Sequence, residues 1–338
     1  MPRPSSIDST TPRRRPSRTS HIVTSQRSRR CPMPDDSLSP SKAARLVGNT
    51  GPQPHEVIHD EQIHDDRDLG QFISDRLSGN YEIDDFGFDP ELTDKVLMQA
   101  LRPLYRKWFR VEASGMENVP DVGGALVVGN HSGTIALDAL MTQVALLDDH
   151  PDRRHLRMLA ANLVFETPFV GELARKAGHT LACQPDAERL LTSGKIVGVW
   201  PEGFKGTGKP FSERYKLQRF GRGGFVAAAL RTRTPIIPTA VIGAEETYPM
   251  IGNAKGLARL LGFPYFPITP TFPWLGPLGL VPLPSKWMIH FCEPIPTDDY
   301  PENAADDPML VFNLTDQVRE TIQTTIYDLL VKRNSVFG

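Results

Sequence analysis

The chain has 338 residues, enough for one large α/β domain with extensions. Its formal net charge of -2 provides no general attraction to nucleic acid, so we expect no nucleic-acid partner. The three cysteines, Cys31, Cys183 and Cys292, are few and widely spaced, which argues against a cysteine-ligated metal site and indicates a reducing compartment.

The first 80 residues have the composition of a disordered segment. Residues 1–31 contain eight arginines and one acid, and residues 54–91 are dominated by Asp and Glu. Because this stretch is rich in Pro and Ser and shows no apolar period, it has little to bury in a core. We predict a disordered tail over residues 1–80 and one folded domain over residues 81–338. An organelle transit peptide, or initiation at Met33, remains an alternative for the Arg-rich start.

Residues 91–110 predict an amphipathic helix. One face carries the apolar residues Leu97, Leu101, Leu104 and Trp108. Basic residues surround this face, and we expect Pro103 to kink the helix. A basic amphipathic helix with aromatic residues at its end is typical of a membrane interface. The alternative, and the more common case, is a helix packed on the folded domain.

Beyond this helix, short apolar runs alternate with helical segments. Strands are predicted at 125–128, 156–160, 178–183, 195–200, 235–243 and 287–292. Helices are predicted at 135–147, 168–177, 185–192, 224–232 and 313–331. Such alternation indicates an α/β fold with a largely parallel central sheet flanked by helices. No apolar run is long enough for a transmembrane helix.

The first predicted strand ends at His131, and the next predicted helix carries Asp138. A carboxylate that accepts a proton from one ring nitrogen leaves the other nitrogen of a histidine free as a base. If residues 131–138 were all helical, the two side chains would lie roughly 10 Å apart along the axis. Contact therefore requires a loop, which Gly133 permits, with Thr134 as the helix N-cap. The alternative is a structural histidine and a solvated aspartate.

A second polar cluster follows the strand at 195–200. Residues 203–209 nearly match a phosphate-binding loop, G-x-x-x-x-G-K-[ST], but Pro210 stands where the metal-holding hydroxyl belongs. Because no apolar strand ending in Asp follows, we do not expect nucleotide hydrolysis.

A charge-free stretch lies between Arg259 and Lys286. It is rich in leucine and aromatic residues and contains seven prolines, which exclude a spanning helix. The sequence leaves three interpretations open: a cover over an acyl tunnel, a segment that enters a bilayer, or a loop packed on the sheet.

Several of these blocks, in this order, resemble the glycerolipid and lysophospholipid acyltransferase superfamily. They are Asn130-His131 with Asp138, then Pro201-Glu202-Gly203, then Pro235-Ile236-Ile237-Pro238. The segments 243–249 and 272–279 are similar to its actinobacterial branch related to monoacylglycerol acyltransferases. The resemblance covers roughly residues 90–335 and identifies residues 81–338 as an acyltransferase domain.

The resemblance implies transfer of an acyl group from acyl-CoA, or acyl carrier protein, to a lipid-like alcohol. The expected acceptors are glycerol phosphate, a lysophospholipid or a monoacylglycerol-like molecule, and acyl-CoA is a co-substrate, with no other cofactor and no metal. His131 is then the general base, oriented by Asp138, which suits an imidazole with an ordinary pKa of about 6.5. The expected location is peripheral, on the cytoplasmic face of a membrane.

In the family, the block that contains Pro-Glu-Gly helps to place the acceptor. The resemblance therefore assigns Glu202, Gly203 and Lys205 to acceptor binding. We expect Glu202 to hold a hydroxyl or a basic partner such as Lys205. The alternative for Glu202 is a carboxylate that stabilises a loop.

Three departures from the family pattern bear on the acceptor. Six residues separate His131 from Asp138, where four are usual. In the block that usually reads Phe-Pro-Glu-Gly-Thr-Arg, the residues Phe, Thr and Arg are replaced by Trp200, Phe204 and Lys205. Gln184 stands where an arginine normally grips the acceptor phosphate, which puts a phosphomonoester acceptor in doubt. Possible replacement cations for a phosphate or CoA are Lys205, Lys209, Lys216 and Arg222, the last near a predicted helix N-terminus. The alternative for all of these cations is a solvated rim.

Two other functions remain open. One is a catalytically inactive lipid-binding protein of the same fold. The other is a serine hydrolase using Ser132 and His131, although the two are adjacent and no G-x-S-x-G motif is present.

Overall fold

The computed structural model describes residues 69–337, and the predictions made for residues 1–68 lie outside that range. Its strands are β1 (Glu112–Ser114), β2 (Ala125–Gly129), β3 (Leu156–Ala160), β4 (Thr180–Leu181), β5 (Ile196–Val199), β6 (Ile236–Ile242), β7 (Gly252–Asn253), β8 (Pro267–Ile268) and β9 (Met288–Phe291). Seven of them form one sheet in the order β1-β9-β6-β2-β5-β3-β4, and β7 pairs with β8 separately.

The helices are α1 (Leu69–Ser78), α2 (Pro90–Leu92), α3 (Met98–Pro103), α4 (Leu137–Asp148), α5 (Asn162–Glu166), α6 (Val170–Lys176), α7 (Gln184–Thr192), α8 (Phe204–Thr207), α9 (Gly224–Thr232), α10 (Lys255–Leu261) and α11 (Pro308–Lys332). Within residues 69–337, none of these helices combines the length and the hydropathy that crossing a membrane requires.

The predicted α/β fold with a largely parallel sheet is confirmed. Strands β6, β2, β5, β3 and β4 are mutually parallel, and β9 runs antiparallel to β6. The carboxyl ends of β2, β5 and β6 therefore meet at one edge of the sheet, where α/β proteins usually keep their binding sites. Strand β9 begins at this same edge, because Met288 pairs with Ile242 at the end of β6.

Two apolar clusters cover the two faces of the sheet, and strand β2 contributes to both. Leu126 and Val128 pack in the cluster that includes α9 and α11, whereas Ala125 and Val127 pack in the cluster that includes α4. All five residues of β2 are buried, which explains its continuous apolar run: a strand covered on both sides has no solvent face.

The helix predicted at 313–331 is present as α11, but it begins earlier, at Pro308. Asp307 caps α11 by accepting hydrogen bonds from the amides of Met309 and Leu310, and Pro308 occupies the first turn. The buried positions Ile322, Ile326 and Leu329 are spaced by four and then three residues, as a helix of 3.6 residues per turn requires for one face.

The predicted helix over residues 91–110 is helical from 90 to 108, and two π-helical segments, Thr93–Leu97 and Leu104–Trp108, interrupt its α-helical hydrogen bonding. The side packed on the domain is centred on Met98, Tyr105 and Phe109, which are buried in the core. Of the predicted apolar face, Leu101 and Leu104 are only partly buried and Trp108 is exposed. This packing favours the interpretation of a helix docked on the domain.

Helix α1 contradicts the predicted disorder for residues 69–78. Its Arg76 forms an ion pair with the fully buried Asp89, which also caps α2 by accepting from the amide of Leu92. The Arg76 guanidinium also lies 4.9 Å from the centre of the Phe72 ring. Local composition does not reveal this helix, because the carboxylate that holds it lies thirteen positions along the chain.

Asn130 joins the end of β2 to β6 through its side chain. Its Nδ2 donates to the carbonyl of Val241 at 2.9 Å, and its Oδ1 accepts from the amide of Val241 at 2.7 Å. Asn130 is 1% exposed, so no water replaces these bonds.

We expect Asn130→Ala to lower the free energy of unfolding by about 2–4 kcal/mol, because two buried backbone groups of Val241 lose their partner. Urea unfolding measures the change. Asn303→Ala, which truncates an exposed asparagine, is the control and should change stability little. Equal effects of the two substitutions would contradict the role assigned to Asn130.

Candidate active site

The predicted contact between His131 and Asp138 is present. The ring Nδ1 of His131 lies 2.8 Å from Asp138 Oδ2, and the amide of Ser132 donates to the same oxygen at 2.8 Å. Asp138 is fully buried in the first turn of α4, where the helix dipole favours a negative charge. Because the carboxylate accepts the Nδ1 proton, Nε2 is left with its lone pair, and it has no hydrogen-bond partner within residues 69–337.

The loop between β2 and α4 differs from the prediction in its helix start. Helix α4 begins at Leu137 without a side-chain cap, so the predictions of a helix from residue 135 and of Thr134 as N-cap are wrong. The Thr134 hydroxyl instead donates to the carbonyl of Tyr248 at 2.7 Å. Gly133 has the predicted turn role, with φ of +81°, and a Cβ there would lie 2.8 Å from the carbonyl oxygen of Ala244.

Glu202 lies at the end of β5 and holds the same loop through its backbone. Its Oε1 accepts from the amide of His131 at 2.8 Å, and its Oε2 accepts from the amide of Gln218 at 2.6 Å. Burial raises the pKa of the Glu202 carboxyl, and the nearby charge of Lys209 opposes that shift. Since both oxygens are engaged by backbone amides, the geometry favours the loop-stabilising interpretation over direct contact with an acceptor.

The Pro-Glu-Gly turn packs directly against the His131 loop. Gly203 has a positive φ of +53° and lies at the start of α8, whose Gly206 touches the His131 backbone. A Cβ at Gly206 would lie 2.5 Å from the carbonyl oxygen of His131. The ring of Trp200 lies 6.3 Å from the His131 ring, centre to centre. The structure thus brings together the imidazole, its carboxylate and the Pro-Glu-Gly turn.

The four cations predicted for a phosphate or CoA differ in burial and in their partners. Lys209 is buried, with its Nζ 2.6 Å from Glu245 Oε1 and 3.1 Å from the carbonyl of Lys216. Lys205, Lys216 and Arg222 are exposed and have no ion-pair partner in the part of the chain that the structure describes. The predicted pairing of Glu202 with Lys205 is wrong, because Lys209 is the cation that acts on Glu202.

Two buried acids that follow β6, Glu245 and Glu246, complete the surroundings and were not singled out from the sequence. Glu245 accepts from the amide of Tyr215 at 2.6 Å, and burial raises its pKa from the ordinary 4.5 to about 7. Glu246 accepts from the hydroxyl of Tyr215 and from Arg333. Their signal in the sequence is a pair of acids directly after a buried strand, where the carboxyl edge of the sheet lies.

A cleft of about 220 Å³, including its open mouth, lies beside the His131 loop. Its walls are formed by Gly133, Thr134, Gly206, Thr207, Lys209, Pro210, Phe211, Glu245, Tyr248 and Met250. The one lysine in this wall is paired with the one glutamate, so above about pH 7, where Glu245 is ionised, these two side chains present little net charge to a ligand.

Asp121, His150 and Asp152 lie close enough to suggest a metal site, but their hydrogen bonds do not fit one. His150 Nε2 lies 3.1 Å from the carbonyl of Val119, and Nδ1 accepts from the amide of Asp152 at 3.1 Å. With one nitrogen protonated and the other accepting, the imidazole offers no lone pair to a metal.

Comparison with known proteins places this geometry in a family context. A family model described as acyltransferase matches residues 110–242, which include His131, Asp138 and Glu202. An uncharacterized protein of Mycobacterium tuberculosis is 59% identical over 266 residues, which are 79% of this chain and 74% of the relative. The DGAT1/2-independent enzyme synthesizing storage lipids of Gallus gallus is 28% identical over 194 residues, which are 57% of this chain and 54% of that protein.

Among solved structures, the fold is similar to the 1-acyl-sn-glycerophosphate acyltransferase PlsC of Thermotoga maritima. The TM-score is 0.50 at 18% sequence identity, and the match covers 79% of this chain and 90% of that chain. At this identity the likeness concerns the fold alone.

The raised pKa of Glu245 predicts a pH dependence of stability. Between pH 4.5 and about 7 the folded state holds a proton that the unfolded state has released, so rising pH favours unfolding. In the wild type this carboxyl should lower the free energy of unfolding by up to about 3 kcal/mol over that window, with no further loss at higher pH.

The measurement is urea unfolding across this pH range for the wild type and for Glu245→Gln, which lacks the titrating group. Because Gln resembles the protonated carboxyl and does not titrate, the free energy of unfolding of the wild type should fall relative to that of the variant as pH rises from 4.5 to about 7. Glu293→Gln, at an exposed carboxylate, is the control. A difference that stays constant with pH would overturn the assignment.

Proposed function

The chain belongs to the glycerolipid and lysophospholipid acyltransferase superfamily, and we propose that it transfers a fatty acyl group from acyl-CoA or acyl carrier protein to a hydroxyl of a glycerolipid-like acceptor. The observation that carries this proposal is the His131–Asp138 pair. Asp138 accepts the Nδ1 proton at 2.8 Å, and Nε2 has no partner within the described range 69–337. A base with this tautomer is what an alcohol needs in order to attack a thioester.

In the proposed reaction, His131 Nε2 takes the proton of the acceptor hydroxyl as its oxygen attacks the thioester carbonyl carbon. The C–S bond then breaks, the imidazolium returns the proton to the departing thiolate, and the products are an ester and a free thiol. The buried Asp138 carboxylate stabilises the imidazolium and keeps the ring in its orientation. Because the acceptor hydroxyl attacks the thioester directly, no acyl-enzyme is required. Glu202 holds the backbone of His131 and is a positioning residue.

We favour a neutral, monoacylglycerol-like acceptor over a phosphomonoester. Recognition of a phosphomonoester generally uses a buried cation with free donors. Of the four cations considered, the buried Lys209 is paired with Glu245 at 2.6 Å, and the other three are exposed. Gln184 at the position of the usual arginine supports the same preference, as does the similarity to an enzyme whose name refers to storage lipids.

The two alternative functions find less support. Ser132 is 1% exposed and its buried Oγ has no hydrogen bond in the described part of the chain, so the hydroxyl is not set against the His131 ring as a hydrolase nucleophile requires. An inactive lipid-binding protein has no need of the assembled His131–Asp138 pair.

We further propose that the enzyme is peripheral and works on the cytoplasmic face of a membrane. Cys292 forms no disulfide in the described part of the chain, as is usual in a reducing compartment. A lipid-like acceptor is available to the enzyme at a membrane surface.

His131→Ala should reduce acyl transfer by about 10²–10⁴-fold, the usual contribution of a general base. The fold should be retained with a lowered melting temperature, because the buried Asp138 carboxylate loses one of its two donors. The assay is release of free CoA thiol from acyl-CoA in the presence of monoacylglycerol. Ser132→Ala is the control and should retain most activity. Unchanged transfer in His131→Ala would eliminate His131 as the base, and a trapped acyl-serine would favour the hydrolase.

Glu202→Gln separates positioning from acceptor binding, because an amide group has one acceptor oxygen for two backbone N–H donors. We expect kcat to fall by about 10–100-fold through displacement of His131, with KM for the acceptor changed less than about twofold. Steady-state kinetics measure the split, with Glu293→Gln, the same substitution at an exposed carboxylate, as control. A raised KM at an unchanged kcat would instead assign Glu202 to acceptor binding.

A further inference from the structure

We infer that residues 255–281, here called the apolar cap, insert into an anionic lipid surface and thereby place the His131 loop against the membrane. This inference rests on the proposed function in that the acceptor is taken to be a lipid. It identifies which part of the molecule meets that lipid.

The apolar cap lies at the catalytic edge of the sheet. Strand β6 ends at Ile242 and β9 begins at Met288, which pairs with Ile242. The segment between these strands, residues 243–287, therefore begins and ends at the edge of the sheet where His131 follows β2 and Glu202 follows β5.

The apolar cap exposes many large apolar side chains, in two groups at 257–263 and 274–281. They are Leu257, Leu260, Leu261, Phe263, Trp274, Leu275, Leu278, Leu280 and Val281, each at least 39% exposed. Leu260, Trp274 and Leu278 are the most exposed, at 81%, 70% and 72%. Scattered apolar residues are normal on a protein surface, but so many within one short segment indicate a binding surface. Leucine and aromatic side chains of this kind are typical of segments that enter the lipid interface.

The charges of the apolar cap favour anionic lipid as the occupant. Lys255 and Arg259 are exposed on α10 beside Leu257 and Leu260, and the stretch from 255 to 285 contains no acidic residue. Two cations at the border of an apolar surface suit phosphate headgroups above acyl chains. An interface with a second copy of this chain would bring these cations together with their counterparts rather than with anions if the contact were isologous.

Several backbone amides of the apolar cap form hydrogen bonds within the cap itself. The amides of Thr269, Leu275 and Gly276 donate to the carbonyls of Phe272, Thr271 and Pro273 at 2.8, 2.9 and 2.8 Å. Five prolines within 255–281 have no amide proton to satisfy. Because an unsatisfied backbone group is costly in lipid, this internal bonding lowers the barrier to insertion.

Direct hydrogen bonds join the apolar cap to the catalytic loop. The hydroxyl of Tyr265 donates to the carbonyl of Thr134 at 2.7 Å, three residues after His131. Tyr248 receives the hydroxyl of Thr134 on its carbonyl and donates its own hydroxyl to the carbonyl of Leu280 at 2.6 Å. A cap seated in lipid therefore holds His131 at the surface from which a lipid acceptor arrives.

The binding test is flotation of the full chain with vesicles of phosphatidylcholine and phosphatidylglycerol. The combined variant Leu260→Glu, Trp274→Glu and Leu278→Glu should lower the vesicle-bound fraction at least about tenfold. Val122→Glu is the matched control, because Val122 is 50% exposed and precedes β2, at the opposite edge of the sheet. Lys255→Ala with Arg259→Ala should weaken binding to vesicles containing phosphatidylglycerol and leave binding to pure phosphatidylcholine unchanged.

The combined variant should still transfer acyl groups to a monodisperse short-chain monoacylglycerol and lose transfer to a long-chain acceptor embedded in vesicles. If the wild type turns over neither acceptor, the proposed function fails while flotation still decides the inference. Flotation of the combined variant equal to that of the wild type overturns the inference. A difference in molar mass between the wild type and the combined variant, measured by light scattering, also overturns it if the two proteins float equally. The surface would then bind a second copy of the chain.

Discussion

The fully buried carboxylate of Asp138 determines the conformation of the loop that carries His131. A carboxylate in this position is stable only with donors around it, and two donors converge on its Oδ2, the His131 ring and the Ser132 amide. To reach this oxygen the chain must turn back between β2 and α4. The tautomer and orientation of the imidazole follow from that turn, so the constraint that stabilises the loop also leaves Nε2 of His131 with its lone pair.

A second buried carboxylate fixes the same residue from its other side. Glu202 binds the amide of His131 at 2.8 Å and the amide of Gln218 at 2.6 Å, so the segments before and after α8 are tied to the histidine. Asp138 orients the side chain and Glu202 orients the backbone. Gly206 makes this arrangement possible, because a Cβ at that position would overlap the carbonyl oxygen of His131.

Two ion pairs lie beside the site. Lys209 pairs with Glu245 and Arg333 pairs with Glu246, and these pairs fasten the segment around Tyr215 to the residues after β6. Among the described residues that line the cleft, Lys209 is the one cation and it is paired, while the outer surface of the same edge is apolar. A cleft without an unpaired cation below an apolar surface is consistent with a substrate that is itself mostly hydrocarbon.

The sequence by itself determined the strands β2, β3, β4, β5, β6 and β9, their alternation with helices, the largely parallel sheet and the identity of the His131–Asp138 pair, but not the short strands β1, β7 and β8. Those features depend on local apolar periodicity and on short motifs, which a linear chain displays directly. Only the tertiary structure decided the role of Glu202, the commitment of Lys209 to Glu245, the helix at 69–78 and the exposure of the segment 255–281. The first three features depend on contacts with residues that are distant in the chain, and the fourth depends on which surface the folded domain leaves exposed. Neighbouring residues in the sequence show neither the distant contacts nor the exposed surface.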